Sequence, residues 1–354
     1  MSMPRKGVVV VPPGNQSRRV GDGVAGTQAI ANRPLVCHVL QSVRTAGATE
    51  VAVVGLPDDL TRVRQSIDED GEDGSGITYL PHLGRSDLLG VLATAAPFVG
   101  DAACVVHTAN GLAGESLEPF AEQLRLESAD LMLLLHRSPN KEDRLGPKMC
   151  RVLGISELNG SRTRLCLAGA CLIGPGVMRR CVPLHNETRE LDLTDIAEQI
   201  AATGKQLEAG FLRTWRRDAG SPADLLELNR IVLDQQAESA DSFDHHHDCR
   251  IEGRVVIHPT AEVTSSVILG PTIIGAGARV TNSYIGPYTS IGAGAQIEGA
   301  EIERSIVQDG ARIMHVSGRI EASTVGPRAN IFRDFTIPRA MRLHVGEGVE
   351  VALN

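Results

Sequence analysis

From Ile274 onward the chain repeats an aliphatic residue every five or six positions: Ile274, Val280, Ile285, Ile291, Ile297, Ile302, Val307 and Ile313. Neither the two-residue period of a strand nor the 3.6-residue period of a helix gives that spacing. A longer period lies above it, since Ile274, Ile291, Val307 and Val325 stand 17, 16 and 18 residues apart. Three short steps therefore make one coil, with each aliphatic side chain stacked on its equivalent in the next. Gly or another small residue follows several of the hits, as in "IIGAGARV" and "YIGPYTSIGAGAQI". The pattern predicts a left-handed β-helix of hexapeptide repeats, four or five coils long, that dissolves into a tail from about Arg333. A β-sandwich of short strands needs period-two alternation and hairpin turns, and the segment has neither.

The first two thirds of the chain beat differently. Residues Gly7 to Pro34 open on an apolar strand, enter a Gly-containing loop and run on into a helix with Val36, Val39, Leu40 and Val43 on one face. A strand, loop and helix in that order aim backbone N–H groups and a helix N-terminus at an anion. Here the loop begins with Pro12 and Pro13, which donate no N–H and lock φ, so the position suits phosphate while the residues do not. Unalternating apolar runs at Val51, Ile77 to Leu80, Cys104 to Thr108 and Leu131 to His136 alternate with helical segments, which argues βαβ units around a mostly parallel sheet. Ligands on such sheets bind beyond the carboxyl ends of the strands, placing the interest after Val11, Leu80 and Thr108. "RLCLAGACLIG" reads as a further buried strand, and "SPADLLELNRIVLD" as a helix with Ser221 at its N-cap and Pro at its first position. The expected division is an α/β domain over 1–236, a polar linker over 237–250, and the β-helix with its tail over 251–354.

Composition excludes several classes of function. Lys and Arg number 35 against 43 Asp and Glu, a net charge of -8, so binding of nucleic acid through phosphate neutralisation is not expected. No apolar run reaches the roughly 18 residues of a membrane span, and the seven cysteines lack any C-x-x-C spacing; reduced thiols in a cytoplasm are expected. His245, His246, His247 and Cys249 carry the right atoms for Zn²⁺, but adjacent histidines do not converge on one ion, which favours a linker. His258 and His315 are expected on the solenoid surface. Trp215, beside Arg216 and Arg217, is open to either ligand stacking or simple packing.

The combination resembles the sugar-1-phosphate nucleotidyltransferase family, and within it the long actinobacterial glucose-1-phosphate thymidylyltransferases. The resemblance rests on "ANRPLVCHVLQSVRTAGATEVAVVG", "RELDLTDIAEQIAATGK", "AGSPADLLELNRIVLD", "GPTIIGAGARVTNSYIGPYTSIGAGAQI" and the tail "MRLHVGEGVEV". It implies a Rossmann-like, GT-A-like nucleotidyltransferase domain ahead of the β-helix. It also implies a reaction in which a sugar-1-phosphate oxygen attacks the α-phosphorus of a nucleoside triphosphate and releases pyrophosphate. That chemistry rests on charge neutralisation and in-line positioning, supplied in the family by a Gly-rich loop with an Arg, a Lys, and Mg²⁺ held by two Asp.

Carried over position by position, much of that set is missing. The loop motif falls on "PPGNQSR", keeping Gly14, with Arg18 or Arg19 as the available cation. The Lys falls on Ala25, the base-reading Gln on His82, a turn Gly on Asp87, and the first metal Asp on Ala109, leaving Asn110 beside it. The segment that holds the sugar phosphate falls on Ser156 to Leu158. Gly146 and Gly169 match sugar-pocket glycines, Glu190 matches the acid that reads sugar hydroxyls, and Asp218 matches the second metal Asp. The expected site is therefore Arg18 and Asp218 for catalysis, Gly14, His82 and Asn110 for nucleotide, Gly146, Gly169 and Glu190 for sugar, and Asp218 alone for Mg²⁺ if the protein is active. The expected partners are a nucleotide, nucleotide-sugar or sugar-1-phosphate, further copies of the chain in a dimer or tetramer, or an active homologue.

Overall fold

A computed structural model of the protein describes residues 3–12, 24, 26–83, 88–138, 145, 147–155, 164–181, 193–217, 221–235 and 248–333. The opening strand β1 (Lys6–Val10) is followed by a small hairpin, β2 (Ala29–Ile30) and β3 (Arg33–Pro34), before α1 (Leu35–Thr45). Then come β4 (Glu50–Gly55), α2 (Pro57–Asp70), β5 (Ile77–Pro81), α3 (Leu88–Val99), β6 (Cys104–Thr108) and β7 (Gly111–Ala113). The unit continues through α4 (Glu118–Glu127), β8 (Leu131–Ser138), α5 (Pro147–Val152), β9 (Arg164–Ile173), α6 (Met178–Cys181) and α7 (Leu193–Ala202). It ends with β10 (Leu207–Phe211), β11 (Trp215–Arg217) and α8 (Pro222–Asp234).

Seven of these strands form one sheet in the order β10-β8-β9-β6-β1-β4-β5. Val8, Val9 and Val10 of β1 are buried on both faces, which is why the segment shows no alternation. Helices α1, α2, α4 and α8 cover one face, where Leu35, Val39, Leu40 and Val43 pack with Val9 and Val53. Helices α3, α5, α6 and α7 cover the other, around Val8, Val54 and Leu133. Truncating any one of these fully buried aliphatics to Ala costs about 2–5 kcal/mol. The sheet is parallel except at β9, which runs antiparallel to both β6 and β8. Ser221 caps α8 as its sequence implies, its hydroxyl accepting from the Asp224 N–H at 3.2 Å.

The C-terminal region is a β-helix of three five-stranded parallel sheets, one per side of a triangle. Successive coils stack in strict register: Val263 on Val280, Ile297, Ile313 and Ile331, and Ile274 on Ile291 and Val307. The eight repeat aliphatics from Ile274 to Ile313 are all buried, each at most 1% exposed. Corners are made by residues in the left-handed region, in columns such as Ser265, Asn282 and His315, or Gly277, Gly294 and Gly310. Glycine is the residue that tolerates such a corner without strain. His258 and His315 lie exposed on the surface, and Cys37, Cys104, Cys150, Cys166, Cys171 and Cys249 are in no disulfide. Among the described residues no helix is long and apolar enough to cross a membrane.

Candidate functional site

Three strand ends meet at the carboxyl edge of the large sheet, and backbone hydrogen bonds fix each against its neighbour. The Val11 N–H donates to the Val54 carbonyl at 2.8 Å, the Ala109 N–H to the Val10 carbonyl at 2.7 Å, and the His82 N–H to the Gly55 carbonyl at 2.8 Å. The loops after β6, β1 and β5 thus leave the same edge of the sheet, with β4 between those of β1 and β5, the arrangement expected for a ligand crevice on an α/β sheet.

The helix that follows the first loop does not offer its N-terminus to an anion. Hairpin β2–β3 intervenes, and the Leu35 and Val36 amides of the first turn donate at 2.9 Å to the carbonyls of Gln28 and Gly26. The expectation of a loop running straight into a helix is corrected accordingly: these N–H groups are satisfied within the chain. Gly26, at φ +88°, lies flat on the end of β6. A Cβ there would stand 3.0 Å from the Ala109 carbonyl oxygen and 3.2 Å from the Ala109 Cβ. Ala109 is consequently 0% exposed, inside the core between α1 and the sheet. Pro12 is partly buried at the start of the loop.

His82 is 5% exposed, and its Nδ1 lies 2.8 Å from the hydroxyl of Thr94 on α3, which itself donates to the Gly90 carbonyl at 3.0 Å. Asn110 is partly buried in the turn between β6 and β7. Strand β7 then pairs antiparallel with β11, setting Trp215 opposite Ala113 and Arg217 opposite Gly111. The Trp215 ring, 6% exposed, lies against Gly111 and Gly169, where any Cβ would strike it. Packing, not stacking on a ligand at an open mouth, is the role its burial defines. The absence of a side chain at Gly169 also makes room for the Thr108 hydroxyl.

His107, on β6 behind Trp215, was not singled out by the sequence. Its ring centroid is 5.2 Å from that of Trp215 at 50°, and its Nδ1 donates to the Thr108 carbonyl at 2.8 Å. Its Nε2 and the Thr108 hydroxyl are buried without a hydrogen-bond partner among the described residues. Complete burial pushes the His107 pKa down to about 4, against the opposing backbone hydrogen bond, so the ring is neutral at pH 7. The signal in the sequence was slight, a single polar residue inside the apolar run "CVVHT".

Of the expected site residues, the structure brings His82 and Asn110 to the same sheet edge and sets Gly169 beside Thr108. Gly14, Arg18, Gly146, Glu190 and Asp218 lie outside the described residues, as do Ala25, Asp87, Ser156 to Leu158 and the run His245 to His247. Among the described residues no group of three His, Cys, Asp or Glu side chains is placed to hold a metal ion. A cleft of about 510 Å³ opens beside this region, between α1, the end of β7 and α8, and is lined by Arg33, His38, Gln41, Glu115, Ser116 and Gln235.

No family model matches the chain. Among curated proteins it is 29% identical over 333 residues to a glucose-1-phosphate thymidylyltransferase of Streptomyces griseus, a match covering 90% of each chain. It is 28% identical to a protein of the same name from Streptomyces antibioticus, covering 92% of each. It is 26% identical over 341 residues to the low-salt glycan biosynthesis nucleotidyltransferase Agl11 of Haloferax volcanii, covering 92% of each. A solved structure from Bacillus anthracis, named as a candidate glucose-1-phosphate thymidylyltransferase in complex with sucrose, superimposes with a TM-score of 0.54 at 17% identity. It covers 68% of this chain and 98% of its own, a likeness of fold. Likeness over nine tenths of the length to three nucleotidyltransferases, together with the α/β sheet and the β-helix behind it, is what this chain shares with the sugar-1-phosphate nucleotidyltransferases.

Proposed function

We propose that the protein is a glucose-1-phosphate thymidylyltransferase-like member that has lost most of its catalytic groups and binds a nucleotide-sugar or sugar-phosphate without turning it over. Its biological part is then that of a partner or regulator of an active homologue. The observation that carries the reading is Ala109. In the register of the family resemblance this position holds the first metal-binding Asp, and here it is a methyl group in the core with Gly26 packed on it. A methyl cannot ligate Mg²⁺, and Mg²⁺ held by few carboxylates relies on substrate phosphates for its remaining ligands. The residues present do not fit the family's metal. Ala25 in place of a Lys and Pro12 at the head of the loop point the same way.

The second reading is an active transferase that makes an NDP-sugar or NDP-cyclitol for secondary metabolism, with Arg18 or Arg19 and Asp218 as its remaining charged groups. The full-length likeness to three named transferases favours it. A pyrophosphate-release assay across the four dNTPs and four NTPs, each with several sugar-1-phosphates, separates the two. The non-catalytic reading expects no turnover with any pair, and clear turnover with one pair overturns it. In this reading 1–236 carries the ligand, 251–354 supports it, and the chain assembles as a closed dimer or tetramer. The exposed Ile331 and Phe332, 36% and 59% accessible at the last coil, support the assembly.

A further inference from the structure

The hairpin between the first loop and α1 is held at its tip by groups from two distant parts of the chain. Its turn residues Ala31 and Asn32 sit at φ 46° and 65°, and neither is glycine. A non-glycine residue keeps such a backbone only where its surroundings over-determine it. The Ala31 N–H donates to Asn229 Oδ1 at 2.9 Å, across 198 residues of sequence. The same oxygen accepts from the Ser290 hydroxyl at 3.0 Å, and Asn229 Nδ2 donates to the Tyr288 carbonyl at 3.2 Å. Next to them Asn32 Nδ2 donates to the Ile291 carbonyl at 2.7 Å. Asn229 is 0% exposed, inside α8, where an Asn is a poorer helix former than Ala. Its amide alone offers, at one point, an acceptor for two donors and a donor for a carbonyl. Arg254 of the β-helix also donates to the Asp234 backbone carbonyl at the end of α8, at 2.5 Å, and Ile306 packs into the α/β core.

The other end of the hairpin leads straight to the candidate site, because Gln28 and Gly26 take the first amides of α1 and Gly26 rests on Ala109. We propose that Asn229 is a positioning residue that ties the hairpin tip to the β-helix corner at Tyr288–Ile291. Docking of the β-helix then fixes the downstream end of the ligand loop. The part of this inference that concerns ligand rests on the binding function proposed above; the mechanical part does not. Removing the tie frees Ala31 and Asn32 to leave the left-handed region, and the movement passes to Gly26 because only two residues separate it from β2.

Amide hydrogen exchange on the full-length protein without ligand tests the tie. In the double variant Asn32→Gly and Ser290→Ala, glycine suits the left-handed turn, so the hairpin keeps its shape while two bonds to the β-helix side are lost. Exchange across residues 26–36 is expected to quicken roughly tenfold, as befits two lost hydrogen bonds. Strands β4 and β8 keep their protection, which a merely structural loss of stability does not allow. Asn229→Asp, which sets an oxygen against the Tyr288 carbonyl, gives the same local change more strongly. Arg279→Ala removes an exposed ion pair to Glu262 and changes nothing at 26–36. Titration of the same proteins with dTDP-glucose is expected to show several-fold weaker binding in the two tie variants only. If the unmodified protein binds no dTDP-glucose, the binding function falls and the exchange data decide the tie by themselves. Unchanged exchange at 26–36 in both the double variant and Asn229→Asp, each folded, overturns the proposal.

Discussion

The β-helix and the α/β unit are both made largely of parallel strands, yet they obtain their pairing in opposite ways. In the β-helix a strand meets its partner one coil later, as Val280 meets Ile297, and the same step repeats until Ile331 at the open end. In the α/β sheet Val9 sits between Val53 and His107, residues that arrive from separate βαβ units. The first arrangement stores its register in a local period, so every coil carries the same instruction. The second stores it in which loops and helices happen to fit, and the candidate site is built at the point where three such units end. Regularity gives the one region a uniform core, and irregularity gives the other a place for chemistry.

That contrast can be tested first where it is sharpest. Ile297→Asp puts an unpaired carboxylate into the middle of the stacked column and is expected to cost more than about 4 kcal/mol, read as loss of the β-helix in thermal unfolding. Survival of the full melting transition would show that the column tolerates a local break. Ala109→Asp comes next, at about 3 kcal/mol, because the new carboxylate meets Gly26 and the core instead of water. In the unmodified protein Mg²⁺ is expected to leave triphosphate affinity unchanged in calorimetry; a clear Mg²⁺-dependent gain would refute the register that sets Ala109 in the metal position.

The acid response of the α/β unit is the third effect. His107 is held near pKa 4 when folded and returns to about 6.5 when unfolded, so the unfolded chain binds the extra proton. Its contribution is fully present above pH 6.5 and is lost as pH falls toward 4, by up to about 3 kcal/mol at 1.36 kcal/mol per pKa unit. His107→Leu should flatten the fall of melting temperature over that window. His38, also lowered by burial, leaves a residual slope. An unaltered pH profile in His107→Leu would refute the assignment. The smallest effect on stability, about 0.5 kcal/mol or less, is expected from Ile331→Ser with Phe332→Ser at the open end of the β-helix. Light scattering should nevertheless show a smaller assembly, and a strictly monomeric parent protein at micromolar concentration would dismiss the interface.

The sequence disclosed the two regions unequally. The spacing of Ile274, Ile291 and Val307 predicted the coil, its stacking and its buried positions, because each depends on residues within one turn of chain. It also predicted β6 to the residue and the Ser221 cap, since apolar runs and caps are local too. The direction of β9 was not legible. "RLCLAGACLI" is apolar on both faces, and such a run carries no mark of parallel or antiparallel pairing. Hairpin β2–β3 was missed because strands of two residues have no period to detect. The place of the candidate site, after Val11, Leu80 and Thr108, was legible from the alternation of strands and helices, its residues only through resemblance, and the buried polar atoms of His107 and Thr108 escaped both because they arise from tertiary burial.

The tie at Asn229 also sets an order of events during synthesis. The N-terminal part of a chain emerges first, and domains generally fold as units while it grows. Residues 1–235 can therefore build the sheet and its helices before Tyr288, Ser290 and Ile291 leave the ribosome. Asn32 must wait for Ile291, 259 residues downstream, and Asn229, which holds Ala31, must wait for Tyr288 and Ser290. The newborn α/β unit accordingly passes through an interval with its hairpin tip held from α8 alone, and that interval closes only when the third coil has been made.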